Sequence, residues 1–256
     1  MLPLNTSREL LDLARKVAIE AGTLLMKRPP IFEVTSKSTA IDIATQMDRE
    51  SEKLIVELLL AARREDGIIG EEGSWRPSTS GITWVIDPVD GTVNYLYGLP
   101  GWSVSIAAKD KHGVIAGVVH APTIGSTWTA SRGGGSFFND HHIHCNDEVA
   151  LDRALIGTGF VYDVNKREGQ GKVIASLLPQ IRDIRRMGSA AVDICYVGMG
   201  AFDGYFEIGL KEWDMAAASL VASEAGALIS TDSNDLTICA GAGLFSPLRD
   251  ALERGR

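Results

Sequence analysis

The chain has 256 residues, with 33 acidic against 25 basic side chains and a net charge of −8. That balance argues against a nucleic-acid backbone as its main ligand, and no apolar run approaches the roughly 18 residues of a membrane span. A composition of 45% hydrophobic and 23% charged residues is ordinary for a soluble globular protein long enough to bury one large core or two small ones. Cys145, Cys195 and Cys239 have no paired spacing. With no basic-then-apolar leader in the first nine residues, they point to reduced thiols in a cytoplasmic protein.

In chain order, Thr6-Ser7-Arg8-Glu9 has the spacing of a capping box. Leu10, Leu11, Ala14, Val17, Ala18, Ala21, Leu24 and Leu25 then recur at helical spacing, predicting a long first helix that Pro29-Pro30 ends. A short extended segment is expected over 31–35. Ser51, Leu54, Ile55, Leu58, Leu59 and Ala62 mark a second amphipathic helix, with Asp48 near its start, where the helix dipole favours a carboxylate. Residues 66–73 read as a short strand running into Glu71-Glu72, followed by a polar loop over 74–81.

Residues 84–86 read as a buried strand ending at Asp87. Pro88 is expected to stop the ladder by removing a donor, Gly91 to permit a sharp turn and Thr92 to open a helix. Segments 104–108, 114–120 and 127–131 alternate with turn residues and predict an antiparallel meander, closed by a hairpin through Asn139-Asp140.

From about residue 146 the pattern becomes mixed. A strand is expected over 154–158, a helix around 173–178, and an extended segment over 181–185. A turn at Gly188 leads into a helix from 189 to 199. A strand at 203–208 leads through Glu212-Trp213-Asp214 to a helix over 215–225, which Gly226 ends. Strands follow at 227–230 and 236–239, and Ser246-Pro247 supplies an N-cap and N1 proline for the last helix. With no repeat and no Gly/Ser-rich hinge, this is an α+β chain, read as one catalytic domain over 1–256 with subdomains 1–145 and 146–256.

Three groups of carboxylates each sit at a strand end or helix start: Glu71-Glu72, Asp87 with Asp90, and Asp214. Two carboxylates held as close as Asp87 and Asp90 repel unless a positive group lies between them. The five together make an all-oxygen donor set suited to Mg²⁺ or Mn²⁺, because no Cys/His ligand set accompanies them. His141-His142-Ile143-His144-Cys145 superficially suggests a transition-metal tract, but a hairpin places these side chains on alternating faces, and exposed hairpin histidines are the better reading. Gly133-Gly134-Gly135 lacks the Gly-Lys-Ser/Thr of a phosphate loop. A glycosidase pair of Glu71 and Asp90 would leave Asp87, Asp214 and Thr92 without a task.

Asp87-Pro88-Val89-Asp90-Gly91-Thr92-Val93-Asn94, with Gly70-Glu71-Glu72 upstream and Glu212-Trp213-Asp214 through Gly226 downstream, resembles the inositol monophosphatase family of metal-dependent phosphomonoesterases. Tyr95 stands where Phe is common, and Ala218 and Ala227 where glycines are usual. The resemblance implies an alternating αβαβα layered sandwich and a magnesium-dependent, lithium-sensitive, usually dimeric phosphatase. Glu71, Asp87 and the Val89 carbonyl would hold one ion, and Asp87, Asp90 and Asp214 a second. A weaker third would rest on Glu71, near Lys37. Thr92 with Glu71 would orient and deprotonate the attacking water, Asp48 would support Thr92, and Glu72 would position outer water. Asp90, Gly91, Thr92 and Asp214 would also meet the substrate. Gly188, Ser189, Ala190 and Glu207 would read the alcohol.

The expected reaction is therefore hydrolysis of inositol 1-phosphate by activated water without a covalent intermediate. Within the same chemistry, histidinol phosphate, fructose 1,6-bisphosphate or a nucleotide-derived phosphate are alternatives. A regulatory protein that uses this fold to contact transcription machinery is an alternative of another class. A small phosphate ester is the expected partner, with a homodimer and no nucleic acid or membrane.

Overall fold

The computed structural model describes residues 4–255, with side chains from residue 7 onward. The first helix, α1 (Leu4–Leu25), buries most of the predicted stripe: Leu10, Ala14, Ala18, Ala21 and Leu25 are out of contact with water, while Leu11 and Leu24 at its edges are only partly buried. The helix already runs through Thr6, so the capping-box spacing there lies inside it rather than marking its start. The short strand β1 (Val34–Ser36) pairs antiparallel with β2 (Ile43–Thr45). Thr45 then caps α2 (Gln46–Ala62), and Asp48 closes the capping box.

A mixed eight-stranded sheet follows. It contains β3 (Gly67–Gly70), β4 (Trp75–Arg76), β5 (Thr83–Asp90), β6 (Ser103–Asp110), β7 (Gly113–Ala121), β8 (Ser126–Ser131), β9 (Gly135–Phe138) and β10 (His141–His142). The order is β10-β9-β8-β7-β6-β5-β3-β4, with β3 and β5 parallel and every other pair antiparallel. Only the short helix α3 (Thr92–Tyr97) interrupts the run of strands from β5 to β6. Pro88 does not end β5, contrary to expectation. The register with β6 shifts between Asp87 and Asp90, so the missing donor is absorbed in a bulge and the strand resumes at Asp90.

The second sheet has five strands: β11 (Leu155–Thr158), β12 (Asp183–Arg185), β13 (Gly204–Ile208), β14 (Leu228–Thr231) and β15 (Leu236–Ala240), in the order β12-β11-β13-β15-β14. Four helices accompany it. They are α4 (Val164–Leu177), α5 (Ala190–Gly198), α6 (Glu212–Glu224) and α7 (Ala242–Gly255).

Period-two alternation sorts the side chains into layers. Trp84 and Ile86 of β5 join Ile106 and Val118 beneath α1 and α2. Val85 and Val119 face the other way, onto α5 and α6, whose far side meets Tyr205 and Cys239 of the second sheet. Ile156, Phe206 and Ile238 turn outward beneath residues of α4 and α7. The result is the expected αβαβα sandwich. Gly117 lets α6 lie directly on β7, since a Cβ there would stand 2.8 Å from the Ala217 carbonyl.

Three further helix starts differ from expectation. α4 begins a full turn or more earlier, capped by Asp163 and carrying a largely polar first half. α6 already includes Glu212-Trp213-Asp214, with Asp214 in its first turn. α7 begins at Ala242 and carries Pro247 in its interior. The Leu244 and Phe245 amides bond the Gly241 carbonyl and buried Leu244 packs inward, so the helix is established before the proline is reached.

Candidate active site

The site is built where β3 and β5 end and where α5 and α6 begin. β3 delivers Glu71, whose amide bonds the Ile86 carbonyl of the parallel neighbour β5. Glu52 of α2, 3% exposed, accepts the Glu72 amide at 2.8 Å and the Ser74 amide at 2.9 Å, fixing the turn that carries both glutamates. Gly70 leaves room for the Glu52 carboxylate, which a Cβ there would push off these amides. Lys37 Nζ bonds Glu71 at 2.8 Å and pairs with Glu72. Burial pulls the Lys37 ammonium down, but the two glutamates outweigh it and its pKa is raised.

β5 delivers Asp87, Val89 and Asp90. Asp87 is 2% exposed, and its carboxylate accepts the Val89 amide at 3.0 Å. Asp90 turns onto the start of α5, accepting the Ser189 hydroxyl, the Ala191 amide at 2.8 Å and the Ala190 amide at 3.3 Å. Gly91 has φ 90°, and a Cβ on it would meet the Gly188 carbonyl at 3.0 Å. The Thr92 hydroxyl lies 2.9 Å from Asp48 Oδ1 and 3.0 Å from the Val89 carbonyl. Asp48 is held in turn by Thr45, through the amide at 2.8 Å and the hydroxyl at 2.6 Å. Asp214, in the first turn of α6, accepts the Lys211 amide at 2.6 Å.

Glu71, Asp87, Asp90 and Asp214 line one cavity of about 120 Å³. Their mutual repulsion is legible in the titration of the buried members. Burial, then Glu71, Asp90 and Asp214, push Asp87 well above the usual carboxylate range. Burial pushes Asp90 up to about 6 against the opposing Ser189 and Ala191 hydrogen bonds. Asp214 is likewise raised, first by burial. Among the described residues no three acidic, histidine or cysteine groups converge as they stand on one ion position. The aspartates have turned onto backbone and hydroxyl donors, and Glu71 onto Lys37. A buried, mutually repelling, all-oxygen set still fits a hard divalent cation, which would offset the repulsion that raises these groups.

The far wall comes from the second sheet. Glu207 on β13 accepts the Tyr205 hydroxyl, and burial pushes its pKa up to about 7. Gly159 leaves room for it, since a Cβ there would overlap the carboxylate. Asn94 of α3 donates to the Met187 carbonyl at 2.8 Å and so ties the β5 loop to the segment carrying Gly188, Ser189 and Ala190. The histidine tract lies elsewhere. His142 and His144 have ring centroids 4.7 Å apart at the exposed β10 edge.

A family profile described as the inositol monophosphatase family matches residues 6–253. The chain belongs to the inositol monophosphatase family. An inositol-1-monophosphatase of Mycobacterium leprae is 35% identical over 99% of this chain and 96% of its own length. The protein named Nus factor SuhB of Pasteurella multocida is 40% identical over 86% of this chain and 84% of its own. The crystal structure of the extragenic suppressor protein suhB from Bartonella henselae superposes with a TM-score of 0.92 at 30% identity, covering 97% of this chain and all of that one. As a member of the inositol monophosphatase family, the chain is a phosphoric monoester hydrolase.

All but Glu72 of the residues expected at the site line this cleft or touch one that does, and Glu72 is tied to it through Lys37. Sequence reasoning did not reach Glu52, Thr45, Tyr205, Gly159 or Asp193, and it named Asn94 in the motif without finding its bond to Met187. Two of them carried a readable signal. Glu52 stands at helical spacing with Asp48, Ile55 and Leu59, a carboxylate on the buried stripe. Asp193 is the one charged residue of α5.

Proposed function

We propose that the cleft hydrolyses inositol 1-phosphate in a Mg²⁺-dependent reaction, by direct attack of water on phosphorus. The observation that carries this reading is that Glu71, Asp87, Asp90 and Asp214 line one cavity beside a threonine hydroxyl locked to a buried aspartate. Glu71, Asp87 and the Val89 carbonyl would hold one ion, Asp87, Asp90 and Asp214 a second, and Glu71 a weaker third. Bound there, divalent ions lower the pKa of the attacking water and offset charge on the leaving oxygen.

The chain's own groups do the rest. Thr92 has one proton and two acceptors, Asp48 and the Val89 carbonyl, so its oxygen lone pairs remain free to accept from water. A proton taken from the water with the help of Glu71 can be relayed by Thr92 Oγ1 toward Asp48 Oδ1. Glu72 and Lys37 hold the outer edge of this arrangement. The Gly91 and Thr92 amides bind phosphate oxygens, and the Gly188–Ala190 segment with Glu207 orients the alcohol. Lithium sensitivity, a homodimeric state and a cytoplasmic location belong to the same proposal.

The test is phosphate release from inositol 1-phosphate, histidinol phosphate, fructose 1,6-bisphosphate and a nucleoside monophosphate, ranked by kcat/KM. Inositol 1-phosphate should lead; a leading rival would replace it while leaving the metal chemistry intact. A regulatory binding role is a second reading, favoured by the relative named a Nus factor. A catalytically dead variant that keeps a partner in pull-down would separate the two roles.

A further inference from the structure

Asp193 has no task in the reaction above, yet it stands inside the cleft. It occupies the fourth position of α5, is 1% exposed, and lines the same cavity as Ser189, Arg186, Tyr162 and Glu207. Its Oδ1 is buried with no hydrogen-bond partner among the described residues. The Met187 amide donates toward the carboxyl, which anchors it to the segment that precedes Gly188. A buried carboxyl oxygen left unpaired is costly, and such groups are retained where a ligand completes them. Holding the Met187 amide would need one oxygen only, and a serine or asparagine would serve as well.

We propose that Asp193 is a second hydroxyl-reading group beside Glu207, so that the site selects leaving alcohols bearing adjacent ring hydroxyls over alcohols without them. The inference rests on the phosphatase reading and deepens it. A hydroxyl both donates and accepts, and a carboxyl near neutrality matches it. Burial, then Asp90 and Glu207, push the Asp193 pKa up to about 8, so the group carries a proton it can donate. Glu207 on β13 already accepts the Tyr205 hydroxyl with one oxygen, so a second carboxyl, on α5, extends recognition to a further ring hydroxyl.

The experiment compares inositol 1-phosphate with cyclohexyl phosphate, the same ring without hydroxyls, for wild type, Asp193→Ala and Asp193→Asn in Mg²⁺. Asp193→Ala should lower kcat/KM for inositol 1-phosphate by on the order of 10- to 100-fold, mainly through KM, as loss of a substrate hydrogen bond does. Cyclohexyl phosphate should change by no more than about twofold. Asp193→Asn should restore most of the preference, because an amide also donates and accepts. Where alanine destabilises the fold, Asp193→Leu fills the volume without polar atoms and carries the same comparison. Equal losses on both esters would mean that Asp193 only braces the Met187 segment, and an unchanged ratio would remove it from recognition; either overturns the proposal. A wild type that hydrolyses neither ester would instead sink the phosphatase reading itself.

Discussion

Thr92 shows how a single hydroxyl is made specific. Its proton is committed to Asp48 or to the Val89 carbonyl, and Asp48 is fixed by two bonds from Thr45. Burial raises the Asp48 pKa, which makes it a better resting place for a proton than an exposed aspartate. Thr92→Val keeps the shape and removes the relay. It should lower kcat on the order of 10²- to 10⁴-fold, the usual worth of a positioned acid–base group, with KM within a few-fold. Steady-state kinetics on inositol 1-phosphate measure this, and a kcat near wild type would remove Thr92 from the proton path. Asp87, Asp90, Gly91 and Thr92 were legible because six consecutive residues carry them. The partners of Glu52 and Asn94 were not, since they lie 20 and 93 residues away and only the tertiary fold brings them together.

At the scale of elements, the turn after β3 depends on α2. Glu52→Ala would leave the Glu72 and Ser74 amides without their acceptor, costing about 1–3 kcal/mol and loosening Glu71. Gly70→Ala should also destabilise, by pressing a methyl against the Glu52 carboxylate. The double variant should therefore be less destabilised than the sum of the two, because removing Glu52 removes the obstacle. Urea unfolding of the four proteins gives the coupling directly, and strict additivity would refute the contact. Elements were well read where a long apolar period ran through them, as in α1 and the β6–β8 meander. They were misread where tertiary packing overrode local punctuation. Pro88 sits in a bulge rather than ending β5, and Pro247 sits inside α7 because Leu244 already anchors the helix to the second sheet.

At the scale of the molecule, the cleft lies where the two sheets meet across α5 and α6, and buried acid is concentrated there. Asp193 gives this a pH signature. Asp90 on β5, Glu207 on β13 and Arg186 before α5 face it, and its pKa rises to about 8. The unfolded chain gives up this proton near pH 4, whereas the native protein keeps it to about 8. The native state therefore binds more protons in that window, and the group's contribution falls as pH rises from about 4 to 8. Asp193→Asn removes the titration. At fixed Mg²⁺, its stability relative to wild type should climb between pH 5 and pH 7.5, by up to about 1.4 kcal/mol per pH unit. A difference that stays flat in chemical denaturation across that range would contradict the assignment.

The layered architecture and the family's carboxylate set could both be read from three short motifs, whereas the far wall of the cleft could not. Tyr205 lies on a strand whose sequence looks like ordinary core, Gly159 just past the end of β11, and the lone charge of Asp193 on α5 does not show what it faces; their chemistry emerges only when β11, β13 and α5 close around Glu207. The central claim, that these carboxylates act through divalent cations, is tested most directly by the initial rate of phosphate release from inositol 1-phosphate by the wild type in Mg²⁺ and after full chelation with EDTA, alongside Asp90→Asn in Mg²⁺. The account predicts turnover in the first case only, with the variant retaining a wild-type circular dichroism spectrum; activity that survives chelation, or an Asp90→Asn enzyme as fast as wild type, would contradict it.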